Sequence, residues 1–580
     1  MFNSFAWIVI SFVICIAIVS FISYLKTKGS DLESSNGYFL GGNSFAGIVI
    51  CASLVMTDLS AEQLVGNNGQ SVSVGIGVWA AQGTFWTGLV FAALLILPAL
   101  LNAGVITLPQ FFEKRFDKAT RAIIAIVMIL SYVVCFLPAA LYAGAQIFVN
   151  LIDLDTMLGV SNFTAIVLVI LLLLAIGLAY VLLGGMRAVA MSDTIFGFAM
   201  FGLGVIIPIA CMIFLSNQLG GDGSFIDGLD KFVNTRPEMM NAWNEWNSNA
   251  PWWPWPVIIT GLFVNNIYFA GANQTIIQRA LGGKSLAEAQ KGVLMAGLVD
   301  FFSPIFLVVP GIVAALAWPT TDFGNGDAVF GTISQAIIPT WFIGIYAAVL
   351  FGAILSTVNG LINSIQTMFA MDIYKQYMNK EADDNQCVKI GRRFAIIVAI
   401  FSACFAPALL VMSGVTTFIQ SSLAILNSPI ACILLFGIWS KKASAFAAKF
   451  MMITHIIVYV LLQYLLPMVV PALGNVHFFY WTAILFVIDC LIMIVVSKYR
   501  PRPADAVENN ERHYEVDMTP WKYRKHMTAA IFAVTIIFYC IFSPFGLGKS
   551  DTTTWQQHLQ KQEQTNTTYV MESQETASVE

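Results

Sequence analysis

The feature that most limits how this chain can fold is its succession of long apolar runs. Fourteen segments, roughly 5–24, 45–66, 73–101, 122–152, 162–183, 192–216, 255–277, 291–317, 340–371, 390–413, 416–439, 444–468, 477–497 and 528–546, are predominantly apolar. Each is about long enough to cross ~30 Å of hydrocarbon as a helix. With 58% hydrophobic and 11% charged residues, the chain could not hide its apolar surface as a water-soluble globule. The runs are continuous rather than alternating, which argues against a transmembrane β-barrel. The expected class is an all-α polytopic membrane protein. The first run has no basic region before it and no small-residue cleavage site after it, so it reads as a retained span. It is called the N-terminal span here, and the following thirteen are core spans 1–13.

Lys and Arg test the count. An even number of spans puts both termini on one side of the membrane. With that side outside, the outer loops hold only Lys231, Arg236, Lys549 and Lys561, and the other 25 of the 29 basic residues fall in inner loops such as FEKRFDKATR, QRALGGKS and KIGRR. This is the positive-inside distribution. It predicts a multi-pass plasma-membrane protein with outside termini and no Lys or Arg in the body of a span. The outer loop 217–254 is polar and Trp-rich, and the tail 547–580, Gln/Thr/Glu-rich, is expected to be disordered, with a weak glycosylation match at Asn566.

Enzyme signatures are absent. The five His residues form no HExxH, and the nine Cys form no CxxC. GGKS at 282–285 and GLGKS at 546–550 lack the upstream Gly of a phosphate loop, and there is no GxSxG. Nothing points to nucleic acid, because topology already accounts for the basic loops. What remains is a set of polar groups at membrane depth. An ionisable side chain mid-span costs about 2.5–3.5 kcal/mol on insertion scales, so each is a functional candidate by default. They are Asp58, Glu62, Asp193, Asp300 and Asp489, with the amides Gln82, Asn265, Asn266 and Gln420. Asp489, on a late span, reads as a packing hydrogen bond.

Two positions stand out. Core span 1 carries TDLSAEQ at its middle, and core span 6 carries VNNIYFAGANQ. A five-span unit repeated upside down puts its first helix at these two places. Broken helices at matching positions of two halves point to a transporter's binding site, because unwinding frees carbonyls and helix ends to meet an ion and a solute. The expected organisation is an N-terminal helix and inner loop (1–44), a first repeat of core helices 1–5 (45–216), the outer loop (217–254), a second repeat of core helices 6–10 (255–439), peripheral helices 11–13 (440–546) and the tail (547–580).

The motifs GYFLGG (37–42), ASLVMTDLSAEQLVG (52–66), LPQFFEKRFD (108–117), LLGGMRAVAMSDTIFG (182–197), NQTIIQRALGGKSLAEAQKG (273–292) and AILSTVNGLINSIQTMFAMDIYK (353–375) carry a resemblance. Through them, nearly the whole chain resembles the sodium/solute symporter family, which includes the sodium–glucose and sodium–galactose cotransporters. The resemblance implies a sodium site made of the carbonyls of Met56, Leu59 and Ala353 and the hydroxyls of Ser356 and Thr357. It places Asp58 in sodium coupling or at the solute, and Asp193 on the sodium exit path. It implies a solute site with Gln63, Asn266 and Gln420. The chain departs from the sugar-transporting pattern at Ala81-Gln82 (an aromatic–Glu pair in the family), at Phe269 (a gating Tyr) and at Asp300 (a Lys). These departures change the charge around a hexose. The first expectation is a sodium-coupled symporter importing a sugar or polyol by alternating access. The alternatives are an organic cation or amino-acid-like solute, a channel or sodium sensor on the same fold, and coupling to H⁺ through Asp58. No intramembrane Arg or Lys is expected that could hold a carboxylate solute.

Overall fold

The computed structural model describes residues 2–29, 31–244, 253–324, 326–411, 415–502 and 513–548. Among the described residues ten helices are long and apolar enough to span a bilayer, and three bent helix pairs bring the number to thirteen. The 57-residue helix Asn162–Gln218 is two spans in one, because Gly185, at φ 57° and ψ −163°, turns the chain inside it. A Cβ there would lie 2.8 Å from the Tyr38 carbonyl oxygen, so both the backbone angle and the close approach call for glycine. Divided at Gly185, the set matches the fourteen apolar runs. The expected tail disorder, the Asn566 match and part of the Trp-rich outer loop lie outside the described residues.

The order is an N-terminal helix (Phe2–Thr27) followed by core helices 1 (Gly47–Asp58 with Ala61–Val74), 2 (Gly77–Ala103), 3 (Lys118–Ile152), 4 and 5 (162–184 and 186–218), and 6 (Trp255–Gly271 with Gln274–Leu281). Then come 7 (Leu286–Asp300 with Pro304–Ala317), 8 (Ile343–Met378), 9 (Asp384–Leu410), 10 (Val415–Trp439), 11 (Ala445–Val469), 12 (Phe478–Tyr499) and 13 (Arg524–Ile541). Burial ranks them. The apolar stretch of core helix 8 is 94% buried, whereas those of the N-terminal helix and core helix 13 are 11% buried. Core helix 8 is therefore the axis of the bundle, and the two outliers face lipid.

Three core helices are broken: 1 by 54°, 6 by 43° and 7 by 42°. The first two were expected from their polar centres. The third was not: it falls at residues 301–303, before Pro304, whose missing N–H leaves the Asp300 carbonyl to the Ser303 N–H at 3.0 Å and the Ser303 hydroxyl at 2.7 Å. Farther along the second half, Pro310 likewise leaves the Phe306 carbonyl without its helical donor. Asn68 Nδ2, from core helix 1, donates to that oxygen at 3.0 Å, and Asn68 Oδ1 accepts from the Gly311 N–H at 2.9 Å. Ser71 Oγ donates to the Val308 carbonyl at 3.0 Å. The polar second half of core helix 1 thus repairs the backbone of core helix 7. Core helix 6 is repaired similarly: the Tyr132 hydroxyl donates to Asn273 Oδ1 at 2.6 Å and accepts from the Gln274 N–H at 2.9 Å. The second half of core helix 6 runs to Leu281, beyond the expected end at 277, and carries Arg279 with it.

Where the start of core helix 3 meets the end of core helix 8, Arg121 of core helix 3 ties three segments together. It pairs with Glu113, and it reaches Asp372 Oδ1 of core helix 8 at 2.7 Å and the Met371 carbonyl at 2.7 Å. Thr107 Oγ1 donates to the same Asp372 oxygen at 2.9 Å. Removing one member of a buried ion pair leaves an uncompensated charge and costs about 3–5 kcal/mol. Arg121→Gln should therefore lower the Tm in detergent by several degrees, whereas Lys375→Gln, at a half-exposed pair with Asp384, should leave it nearly unchanged. Equal shifts would show that the Arg121 node does not hold these segments together.

Candidate functional site

The break in core helix 1 creates the first part of the site. In an unbroken helix the Ser60 N–H would point to the Met56 carbonyl. Here it turns to the Asp58 carbonyl at 2.6 Å, and Leu59 leaves helical geometry at φ −68° and ψ 54°. Met56 O is released at membrane depth, and Leu59 sits in the gap. Core helix 8 faces this gap with hydroxyls. Thr357 Oγ1 lies 3.3 Å from the Thr57 carbonyl and 3.4 Å from the Ala353 carbonyl. Ser356 Oγ is 3.2 Å from Thr57 Oγ1. Met56, Leu59, Ala353, Ser356 and Thr357 are all buried. The structure therefore brings core helices 1 and 8 together through neutral oxygens, a donor set suited to a hard monovalent cation. Thr57 was not singled out in the sequence. It connects the two helices at this point.

Beside the break lies a cavity of about 100 Å³. Asp58, Gln63, Gln82, Asn266, Phe269 and Gln420 all line it, together with Glu62, Asn265, Phe85, Phe136, Trp253 and Asn427. Gln63 Nε2 donates to Asp58 Oδ1 at 3.1 Å and Gln63 Oε1 accepts from Asn67 at 3.1 Å, so core helix 1 orients its own amide. Asn266 donates to Thr84 Oγ1 of core helix 2. Asn427 of core helix 10 donates to Asn265 Oδ1 at 2.6 Å. Phe269 packs against Phe85 at 5.6 Å and Phe136 at 6.2 Å between ring centres, closing an aromatic side of the cavity. Glu62 sits in the first turn of the second half of core helix 1, where the helix dipole favours a negative charge.

Asp300 is a correction. It was expected on the wall of the solute site, but it does not line the cavity. It ends the first half of core helix 7 and sits behind Asp58, its carboxyl within hydrogen-bonding reach of the Asp58 carboxyl. The proline-driven break places it there.

Arg279 is a second correction. The sequence placed it in an inner loop, yet it is 1% exposed within the second half of core helix 6. Its guanidinium donates to Ser53 Oγ at 2.8 Å, to the Thr275 carbonyl at 2.7 Å and to the Ser356 carbonyl at 3.4 Å, and pairs with Asp193 Oδ2 at 3.5 Å. Ser53 also donates to Asp193. Asp193 thus lies against core helix 1 through Ser53, with an Arg already beside it. An intramembrane cation is tolerated here because it is paired. Arg279 does not line the solute cavity, so that cavity has no basic side chain among its described lining. Asp489 is apart from all of this: it accepts from or donates to His455 Nδ1 at 2.7 Å between core helices 11 and 12, a packing contact as expected.

Comparison with known proteins adds the context. Residues 38–454 match the model of the Sodium:solute symporter family. The chain is 35% identical over 541 residues to the uncharacterized symporter YidK of Escherichia coli (strain K12), covering 93% of this chain and 91% of that one. It is 30% identical over 438 residues to the sodium/glucose cotransporter of Vibrio parahaemolyticus, covering 72% and 78%. A Na⁺-coupled sialic acid symporter, solved substrate-bound and outward-open, superposes with a TM-score of 0.69 at 18% identity, over 86% of this chain and 98% of that one. That likeness supports the fold, including the doubled core.

The Arg279–Asp193 pair yields a direct test. Arg279→Gln should lower the Tm strongly by leaving Asp193 buried alone, and adding Asp193→Asn should recover most of the loss, since a broken buried pair costs more than a removed one. A double variant no more stable than Arg279→Gln would show that the two side chains do not act as a pair.

Proposed function

The chain belongs to the Sodium:solute symporter family and is a Na⁺-coupled, multi-pass membrane symporter; we propose that its solute is a small polyhydroxylated molecule, a sugar or polyol. The observation that carries this reading is the amide-lined cavity next to the broken core helix 1. Amides offer both donors and acceptors, which suits hydroxyl-rich solutes. Gln63, Gln82, Asn266 and Gln420 are the proposed contacts on four different helices.

The proposed cycle uses the geometry in order. Na⁺ enters from outside and binds the carbonyls of Met56, Leu59 and Ala353 and the hydroxyls of Ser356 and Thr357. Its charge replaces the missing helical hydrogen bonds of the break and fixes the two halves of core helix 1. This orients Asp58 and Gln63, which follow directly in the chain, toward the solute. Binding of the ion and binding of the solute are thereby coupled through one short stretch of backbone. Rocking of one helix group against the other then opens the inside, with Phe269 as the inner lid and Asp193 on the way out. Arg279 holds Asp193 until Na⁺ arrives, so sodium release requires that pair to loosen. The termini lie outside in this reading.

The drive is sufficient. One charge crossing 100 mV releases about 2.3 kcal/mol. A tenfold Na⁺ gradient adds about 1.4 kcal/mol. Together these support roughly 500-fold accumulation of a neutral solute per ion.

Ser356→Ala with Thr357→Ala should reduce Na⁺-driven uptake into proteoliposomes at least about tenfold while the protein still purifies as a folded species. Undiminished Na⁺ stimulation in that variant rules out the site. Gln82→Glu should shift preference among sugars and polyols, and an unchanged competition profile would remove Gln82 from the solute contacts.

A further inference from the structure

The solute cavity is unbalanced in charge. Asp58 and Glu62 are its ionisable lining side chains among the described residues, and no Lys, Arg or His joins them. Asp300 adds a second carboxyl directly behind Asp58. Asp58 and Asp300 are 3% and 2% exposed. The buried arginines Arg279 and Arg121 serve other groups: Arg279 is paired with Asp193, and Arg121 with Glu113 and Asp372.

The cavity is also unbalanced in hydrogen bonding. Gln420 Oε1 and Asn427 Oδ1 on its wall are buried acceptor atoms that receive no hydrogen bond. The Asp58 and Asp300 carboxyls reach one another, and Asp58 also accepts from Gln63. Buried acceptors without donors are costly, so the occupant is expected to supply donors. Hydroxyl groups supply donors without charge. A protonated amine supplies three donors and the missing positive charge together. The rings of Phe85, Phe136 and Phe269 border the same space and add faces that attract a cation.

We propose that the solute, within the sugar or polyol reading on which this rests, carries a protonated amine that docks on Asp58 with Asp300 behind it, while the surrounding amides take its hydroxyls; the class is an amino sugar or amino polyol.

The test is Na⁺-driven uptake by the full chain in proteoliposomes with matched probes: glucosamine, galactosamine and mannosamine, each against its neutral parent sugar and its N-acetyl derivative. The N-acetyl group keeps the nitrogen but removes its charge. The expected result is that at least one amine is preferred about tenfold or more over both neutral partners. Asp58→Asn should erase that preference. Gln82→Lys, which places a cation on the wall without touching core helix 1, should depress amine uptake as well and serves if Asp58→Asn does not fold. Na⁺-driven uptake of neutral sugars without amine preference overturns the amine assignment and leaves sodium–sugar symport standing. Na⁺-driven uptake of choline but of none of the sugars keeps Asp58 as a cation anchor and overturns the polyhydroxylated solute. Uptake of no probe counts against both.

Discussion

The structure depends on a backbone that is allowed to come apart inside hydrocarbon. A helix in a bilayer satisfies its own peptide groups, and each exposed one is costly there. Core helix 1 gives up this protection at Leu59 and Ser60. The interruption is tolerable because core helix 8, the most deeply buried of the spans, brings Ser356 and Thr357 against it. A cation can take the place of the lost N–H donors. In the proposed cycle an ion at this gap acts on its neighbours in the chain, Asp58 just before it and Glu62 and Gln63 just after it.

The other two breaks are built differently. Their freed groups are met by protein: Tyr132 and Asn273 at core helix 6, Asn68 and Ser71 at core helix 7. Asn68 and Ser71 belong to core helix 1, so the two halves of the doubled core lean on each other across their breaks. The polar residues of 61–74 therefore have two uses. Some line the cavity, and others mend a neighbour's backbone. Charges divide in a similar way. Arg279 and Arg121 are held by carboxylates and carbonyls. In the cavity, no Lys, Arg or His among the described lining balances Asp58.

Much of the fold was legible in the sequence, because span length and continuous hydropathy are imposed by the membrane itself. The breaks at TDLSAEQ and at Gly271–Asn273 were legible because polar residues in mid-span need a reason. The break in core helix 7 was present as Pro304 and Pro310, but an apolar stretch with prolines can also remain a kinked helix. Past that break, the Phe306 carbonyl freed by Pro310 is met by Asn68, some 240 residues away, a partner no local pattern reveals. Arg279 was misplaced for a related reason: a basic residue just past an apolar run looks like a loop residue until its partner Asp193 is found on another helix. Asp300 was assigned to the cavity wall by resemblance, and the unforeseen bend put it one layer back. The cavity amides Gln63, Gln82, Asn266 and Gln420 were found, whereas Asn427 was missed because it lies within an otherwise apolar run.

The central claim is that a sodium ion sits in the gap of core helix 1 against core helix 8. An experimental structure determined in Na⁺, and again with Tl⁺ replacing it, tests this most directly. The account predicts ion density, stronger with Tl⁺, enclosed by the oxygens of Met56, Leu59, Ala353, Ser356 and Thr357. A core helix 1 that runs unbroken through Leu59 and Ser60, or ion density held elsewhere with this gap closed by protein donors, would contradict it.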